Sequence, residues 1–231
     1  MIFDLLSGDI TSALMTLILV IPTVLMALTF HEFAHGWMAN KLGDPTAKVL
    51  GRLTLNPLKH LDLFGTLAML VAGFGWAKPV PVNTRYFKKP KRDMALTAAA
   101  GPIMNFTMSF IGLVLYAVCY LVLPNVMIAD AALTFFYYFA FLNAYLALFN
   151  LIPVPPFDGS RIFYVFLPQK FYWGVMKHER QIMIITLIIL VALSRFDLNP
   201  MSYIVEAYIN GVLTLFIVII NLVSTLIHSL I

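Results

Sequence analysis

Four stretches of the chain carry no Asp, Glu, Lys, Arg or His: residues 11–30, 94–129, 131–157 and 207–227. A helix crosses the hydrocarbon core of a bilayer with about 20 apolar residues, and each stretch reaches that length. The pattern predicts a polytopic membrane protein. Backbone-breaking residues divide it into elements. Helix one runs over 11–42 and stops at Gly43-Asp44-Pro45. Helices follow over 94–123, ending near Pro124-Asn125, and over 131–151, ending before Pro153, Pro155 and Pro156. A short helix begins near 159, an apolar segment occupies 181–194, and a last helix runs over 202–230. Counting the short segment 181–194 as a span, the fold class is all-α with about five transmembrane helices.

One apolar stretch departs from this pattern. Residues 63–77 are few for a span and are interrupted by Gly65, Gly73 and Gly75. The sequence GWAKPVPVNTRYF follows at 75–87, then the basic KKPKR at 88–92. Pro and Gly at this density argue against a helix. They predict a re-entrant segment over 61–77 with a short β-hairpin. Val80 and Val82 alternate with Pro79 and Pro81, and proline donates nothing to a sheet ladder. One edge of 75–87 is therefore expected to stay open, where an unwound substrate strand could add.

Composition agrees with the membrane reading: 61% of residues are hydrophobic and 11% charged, too few to coat a soluble domain of this size. The net charge of +4 invites a nucleic-acid partner, but its distribution points to the bilayer instead. If 61–77 dips in without crossing, Lys41 to Arg92 share one side with the 159–180 loop. Only Arg195 of the fifteen Lys and Arg falls opposite. The positive-inside rule then places the basic loops in the cytoplasm and the N-terminus outside. Asp4 and Asp9 precede the first apolar run with no Lys or Arg, so that run is expected to persist as a helix and not as a cleaved signal. Cys119 is the single cysteine, which excludes an intramolecular disulfide and a cysteine-based metal site. A single domain over 1–231 is expected, with a catalytic core over about 11–167 and C-terminal helices over about 175–231.

The chemistry sits at the end of helix one, in HEFAH at 31–35. On a helix, His31 and His35 lie one turn apart on one face and can meet a single Zn²⁺, while Glu32 lies beside a metal-activated water as its general base. Three ionisable residues at the end of a membrane helix are costly unless they hold a metal or line a wet cavity. The plainer alternative is an interfacial His/Glu cluster anchoring the helix end. Catalytic zinc takes a third protein ligand and an open position. The acidic residue embedded in backbone-broken apolar sequence is Asp158, in FNLIPVPPFDGSRIF. Irregular backbone at membrane depth is tolerated against protein or a wet cavity, which suits a ligand. Asp158-Gly159-Ser160 could equally start a helix as an N-cap. His60 reads as a solvated interfacial side chain, and Asp44 and Asp62 as turn or cap residues.

HEFAHGW (31–37) and NLIPVPPFDG (150–159), with LGDPTAKVLGRLTLNPLKHLD (42–62), FGWAKPVPVN (74–83) and AAAGPIMNF (98–106), resemble the site-2 protease family of intramembrane zinc metalloproteases. The similarity is to its compact prokaryotic branch lacking a PDZ domain and covers about residues 27–167. It implies His31, His35 and Asp158 as ligands of one zinc ion per chain and Glu32 as the base. It also marks Asn105 and Asn150 as active-site or substrate-contacting residues. Phe157 stands where leucine is commoner, a packing difference that touches no ligand. Physically, a buried amide can stabilise an oxyanion or hold a substrate carbonyl, or simply bond between helices. The function implied is hydrolysis of peptide bonds in transmembrane protein substrates, in a prokaryotic cell membrane, at an active site near the cytoplasmic side. A zinc transporter and a non-catalytic membrane scaffold are the other classes. A transport site has no use for a base beside its metal, and no internal repeat is visible.

Overall fold

A computed structural model of the protein describes residues 10–62, 65, 77–123, 127–194 and 200–230. Its helices are α1 (Ile10–Lys41), α2 (Thr46–Val49), α3 (Pro90–Val122), α4 (Met127–Asn150), α5 (Asp158–Tyr164), α6 (Gln169–Lys177), α7 (Glu179–Ser194) and α8 (Pro200–Leu230). Single 3-10 turns occur at Pro57–Lys59 and Thr84–Tyr86. α3 begins four residues earlier than its apolar run. Pro90 occupies its first turn, where no amide bond is lost, and Asp93 reaches back to accept from Lys89 N–H at 2.8 Å.

Two parts of the expected fold class are corrected. Among the described residues, four helices are long and apolar enough to span a membrane, not five: Ile18–Lys41, Pro90–Val122, Ala129–Asn150 and Met201–Asn221. α7 has 16 residues, short of the about 20 that a span needs. The β-hairpin is not formed either. Among the described residues there is no strand, and one isolated antiparallel bridge joins Leu61 to Ala77. The re-entrant segment proper, 63–76, lies outside the described residues apart from Gly65.

The missing hairpin has a physical cause. Across 78–83, side chains and one backbone carbonyl, not a second strand, bind part of the backbone. Val80 N–H donates to Glu32 Oε2 at 2.7 Å, and Asn83 N–H to Asp44 Oδ2 at 2.6 Å. Arg52 Nη2 donates to Lys78 O at 2.8 Å and to Pro79 O at 3.3 Å. Lys78 N–H donates to His60 O at 2.8 Å. The open edge expected from the prolines is thus occupied in part within the chain, at Lys78, Pro79, Val80 and Asn83. His60 is not solvated: it is buried, with Nε2 2.8 Å from Thr54 O. Asp44 does cap a turn, accepting from Thr46 N–H and from the Thr46 hydroxyl, and through Asn83 it also ties the extended segment to the end of α1.

The spanning helices pack through small residues. Lipid tails are as apolar as leucine, so association relies on close backbone approach and interhelical hydrogen bonds. Leu113 of α3, Ala140 and Ala144 of α4, and Val205 and Ile209 of α8 form one buried cluster. Beside it, Ser109 Oγ donates across to Ala140 O at 2.8 Å, and a Cβ on Gly112 would lie 2.9 Å from the Phe139 ring. This α3–α4 seam runs directly into the site.

Candidate active site

α1 presents His31 and His35 on one face, as residues four apart must be. α3 meets them with a face of the same period: Thr97, Gly101 and Asn105. The helices run antiparallel, so the contacts pair in opposite order. His35 Nδ1 lies 2.8 Å from Thr97 O, and His31 Nδ1 lies 2.5 Å from Asn105 Oδ1. Gly101 lies between them, and only a missing side chain lets the helices close. A Cβ there would stand 2.5 Å from His35 Nε2 and 2.6 Å from His31 Cε1.

Both Nδ1 partners are acceptors, so each ring carries its hydrogen on Nδ1 and turns the Nε2 lone pair to the same point. The two Nε2 atoms are 3.0 Å apart. The third corner comes from the break after α4. Leu151 to Phe157 turn the chain, and Phe157 is buried edge-on against Phe149, with centroids 4.5 Å apart. Gly159 lets the turn close, since a Cβ there would lie 2.2 Å from Leu151 O. Asp158 then opens α5 without capping it. Its Oδ2 lies 3.1 Å from His31 Nε2 and 3.1 Å from His35 Nε2.

The three donors fit a metal. Ligands at about 2.0–2.1 Å from a tetrahedral zinc lie roughly 3.3 Å from one another, within a few tenths of the spacings here. Asp158 Oδ2 is also buried with no hydrogen-bond partner, which in a native interior calls for an ion. His31, His35 and Asp158 form the cluster of His, Cys, Asp or Glu, among the described residues, able to hold a metal ion. Glu32, half-buried next to His31, is anchored by the Val80 amide.

Of the sequence candidates, the structure brings His31, His35, Asp158 and Asn105 together. Asn105 lies behind His31, with Nδ2 donating to Ala27 O at 3.1 Å and to Asn143 Oδ1 at 2.9 Å. Asn150 ends α4 and donates to Leu146 O at 2.9 Å; no hydrogen bond joins it to the cluster among the described residues. Thr97, Gly101 and Asn143 were not singled out from sequence. Asn143 carried a signal, a side-chain amide in the middle of an uncharged span. Gly101 and the Thr97 carbonyl have meaning only once α1 and α3 are in register.

Membrane-spanning helices closed around a buried His/His/Asp metal cluster, with a glutamate beside the first histidine, define an intramembrane zinc metalloprotease. The family comparison agrees: Peptidase family M50 matches residues 19–128 and 120–194, more than half of the chain, and the chain belongs to this family. It is similar to YwhC of Bacillus subtilis (strain 168), named as a zinc metalloprotease, at 43% identity over 182 residues, covering 78% of this chain and 83% of that protein. It is also similar to Rip2, named likewise, of Mycolicibacterium smegmatis, at 30% identity over 152 residues. A third similarity is to Rip2 of Mycobacterium tuberculosis (strain H37Rv), at 30% identity over 148 residues. Each Rip2 match covers 62% of this chain and 54% of that protein. No solved structure matches the chain. The protein is a multi-pass membrane zinc metalloprotease of prokaryotic type, and the transporter and scaffold classes fall away.

The close approach at Gly101 yields a direct test. Gly101→Ala is expected to weaken zinc binding about 10–100-fold, the usual range for disturbing a metal ligand's support, as read by competition with a chromogenic chelator. Unchanged affinity would show that α1 and α3 are not in the register described.

Proposed function

We propose that the protein hydrolyses peptide bonds of transmembrane protein substrates, with Glu32 as general base. The observation that carries this reading is the convergence of His31, His35 and Asp158 at the end of a spanning helix with Glu32 anchored beside them. Zinc held there supplies Lewis acidity, drawing the pKa of a water towards neutrality and polarising a carbonyl. The chain's own residues do the rest. The Val80 amide holds Glu32 Oε2 and leaves Oε1 to receive a proton from the attacking water. The water oxygen bonds to the carbonyl carbon, and as the C–N bond breaks the same proton passes to the departing nitrogen.

Asn105 supports the site by holding His31, since its oxygen and both amide hydrogens are engaged within the protein. Asn150, with its oxygen at the end of α4 next to the Asp158 turn, is the better candidate to hold substrate backbone. The whole chain acts as one domain, with a catalytic core over about 11–167 and α8, the last of the C-terminal helices over about 175–231, docked on it through Val205 and Ile209.

Orientation gains support from the count of spans. With four crossings, the segments 41–92 and 151–199 share one side, and all fifteen Lys and Arg lie in them. The positive-inside rule makes that side the cytoplasm. The metal cluster stands at the end of α1 that leads into these loops, so the active site opens near the cytoplasmic face.

Two outcomes are expected. Glu32→Gln should retain one zinc per chain and lose roughly 10²–10⁴-fold in cleavage of a reconstituted membrane substrate; parental turnover would remove Glu32 from the chemistry. Lys89→Cys, in a Cys119→Ser background, should react with an impermeant maleimide only after the cells are permeabilised. Labelling in intact cells would reverse the orientation.

A further inference from the structure

The hydrogen-bonded chain behind His31 does not stop at Asn105. Asn105 Nδ2 donates to Asn143 Oδ1 at 2.9 Å, and Asn143 Nδ2 donates to Phe139 O at 2.8 Å. Both asparagines are fully buried, where every polar atom needs a partner of the right kind. A backbone carbonyl can only accept. Phe139 O therefore demands the NH₂ end of Asn143, which turns Asn143 Oδ1 towards α3. That oxygen demands the NH₂ end of Asn105, as does Ala27 O from α1 at 3.1 Å. With both amide hydrogens so engaged, Asn105 has only Oδ1 to offer His31 Nδ1. Nδ1 must then carry the ring hydrogen, and Nε2 keeps its lone pair towards Asp158 and His35.

We propose that Asn143 is a positioning residue of the metal centre, fixing the orientation of the Asn105 amide and thereby the metal-binding tautomer of His31. This rests on the reading of His31, His35 and Asp158 as one zinc site. Without the Asn143 acceptor, one Asn105 hydrogen is buried unpartnered. Ala27 O alone then opposes a half-turn of that amide, which would bring NH₂ to His31 Nδ1 and drive the ring hydrogen onto Nε2, where it blocks a metal. A competing account is that Asn143 merely staples α3 to α4, as asparagines between membrane helices do.

The accounts separate in the full-length purified protein, with two measurements on each variant: zinc affinity by chelator competition, and the thermal midpoint of the metal-free form. Asn143→Asp, protonated in its buried site, keeps an acceptor for Asn105 and a donor for Phe139 O, whereas Asn143→Leu removes the acceptor. Asn143→Ala removes the same acceptor and replaces Asn143→Leu if that variant does not fold. Both are compared in the parent and in Asn105→Asp, where either oxygen accepts from His31 and there is no amide to turn. Asn143→Leu is expected to weaken zinc about tenfold in the parent, the lower end for an outer-shell change. Asn143→Asp is expected to bind like the parent, and Asn143→Leu to cost little within Asn105→Asp. Parental zinc affinity in Asn143→Leu with a lowered metal-free midpoint would make the residue a staple only and overturn the proposal. Equal losses of affinity in both backgrounds would overturn it too. A parent protein that takes up no zinc would overturn the reading of the centre itself, and this proposal with it.

Discussion

Asp158 Oδ2 lies 3.1 Å from the Nε2 atoms of His31 and His35 and is buried without a hydrogen bond. A lone anionic oxygen in such surroundings is expensive, and a shared cation is the partner that the three donors fit. Much of the structure answers this requirement. The antiparallel register of α1 and α3 sets Asn105 and the Thr97 carbonyl behind the two rings. Gly101 lets the helices approach, and the turn before α5 carries the carboxylate in from α4. The small residues of the seam are therefore part of the chemistry as well as of the packing, since bulk at Gly101 would push against the ligands themselves.

The extended segment 78–83 serves the same site. Its backbone is held by Arg52, His60 and Asp44, and it spends the Val80 amide on Glu32. A segment that looks like a free strand in sequence is a brace for the residue proposed as base.

Much of this was legible in the sequence. Uncharged runs located α1, α3, α4 and α8 to within a few residues, because charge is hard to place in lipid. HEFAH pointed to two metal ligands, and the resemblance to the site-2 protease family chose Asp158 as the third, which its proline-flanked position alone left open between ligand and N-cap. What failed to show depended on register or on tertiary partners. The hairpin over 75–87 was inferred from Pro and Val spacing, which cannot reveal that carboxylates and a guanidinium bind part of its backbone. The fifth span was inferred from apolar character, although α7 stops at 16 residues. His60 read as solvated because nothing local marks a histidine whose ring bonds to Thr54 O. Asn143 was not singled out, because its partner Asn105 lies on α3 and 38 residues away in sequence.

Which atoms hold the metal is read most directly by X-ray absorption at the zinc edge. The purified protein is expected to show one zinc per chain, with two imidazoles and oxygen ligands at about 2.0–2.1 Å, and Asp158→Ala to lose zinc affinity. A zinc shell without two imidazoles, or parental zinc affinity in Asp158→Ala, would contradict a centre of His31, His35 and Asp158.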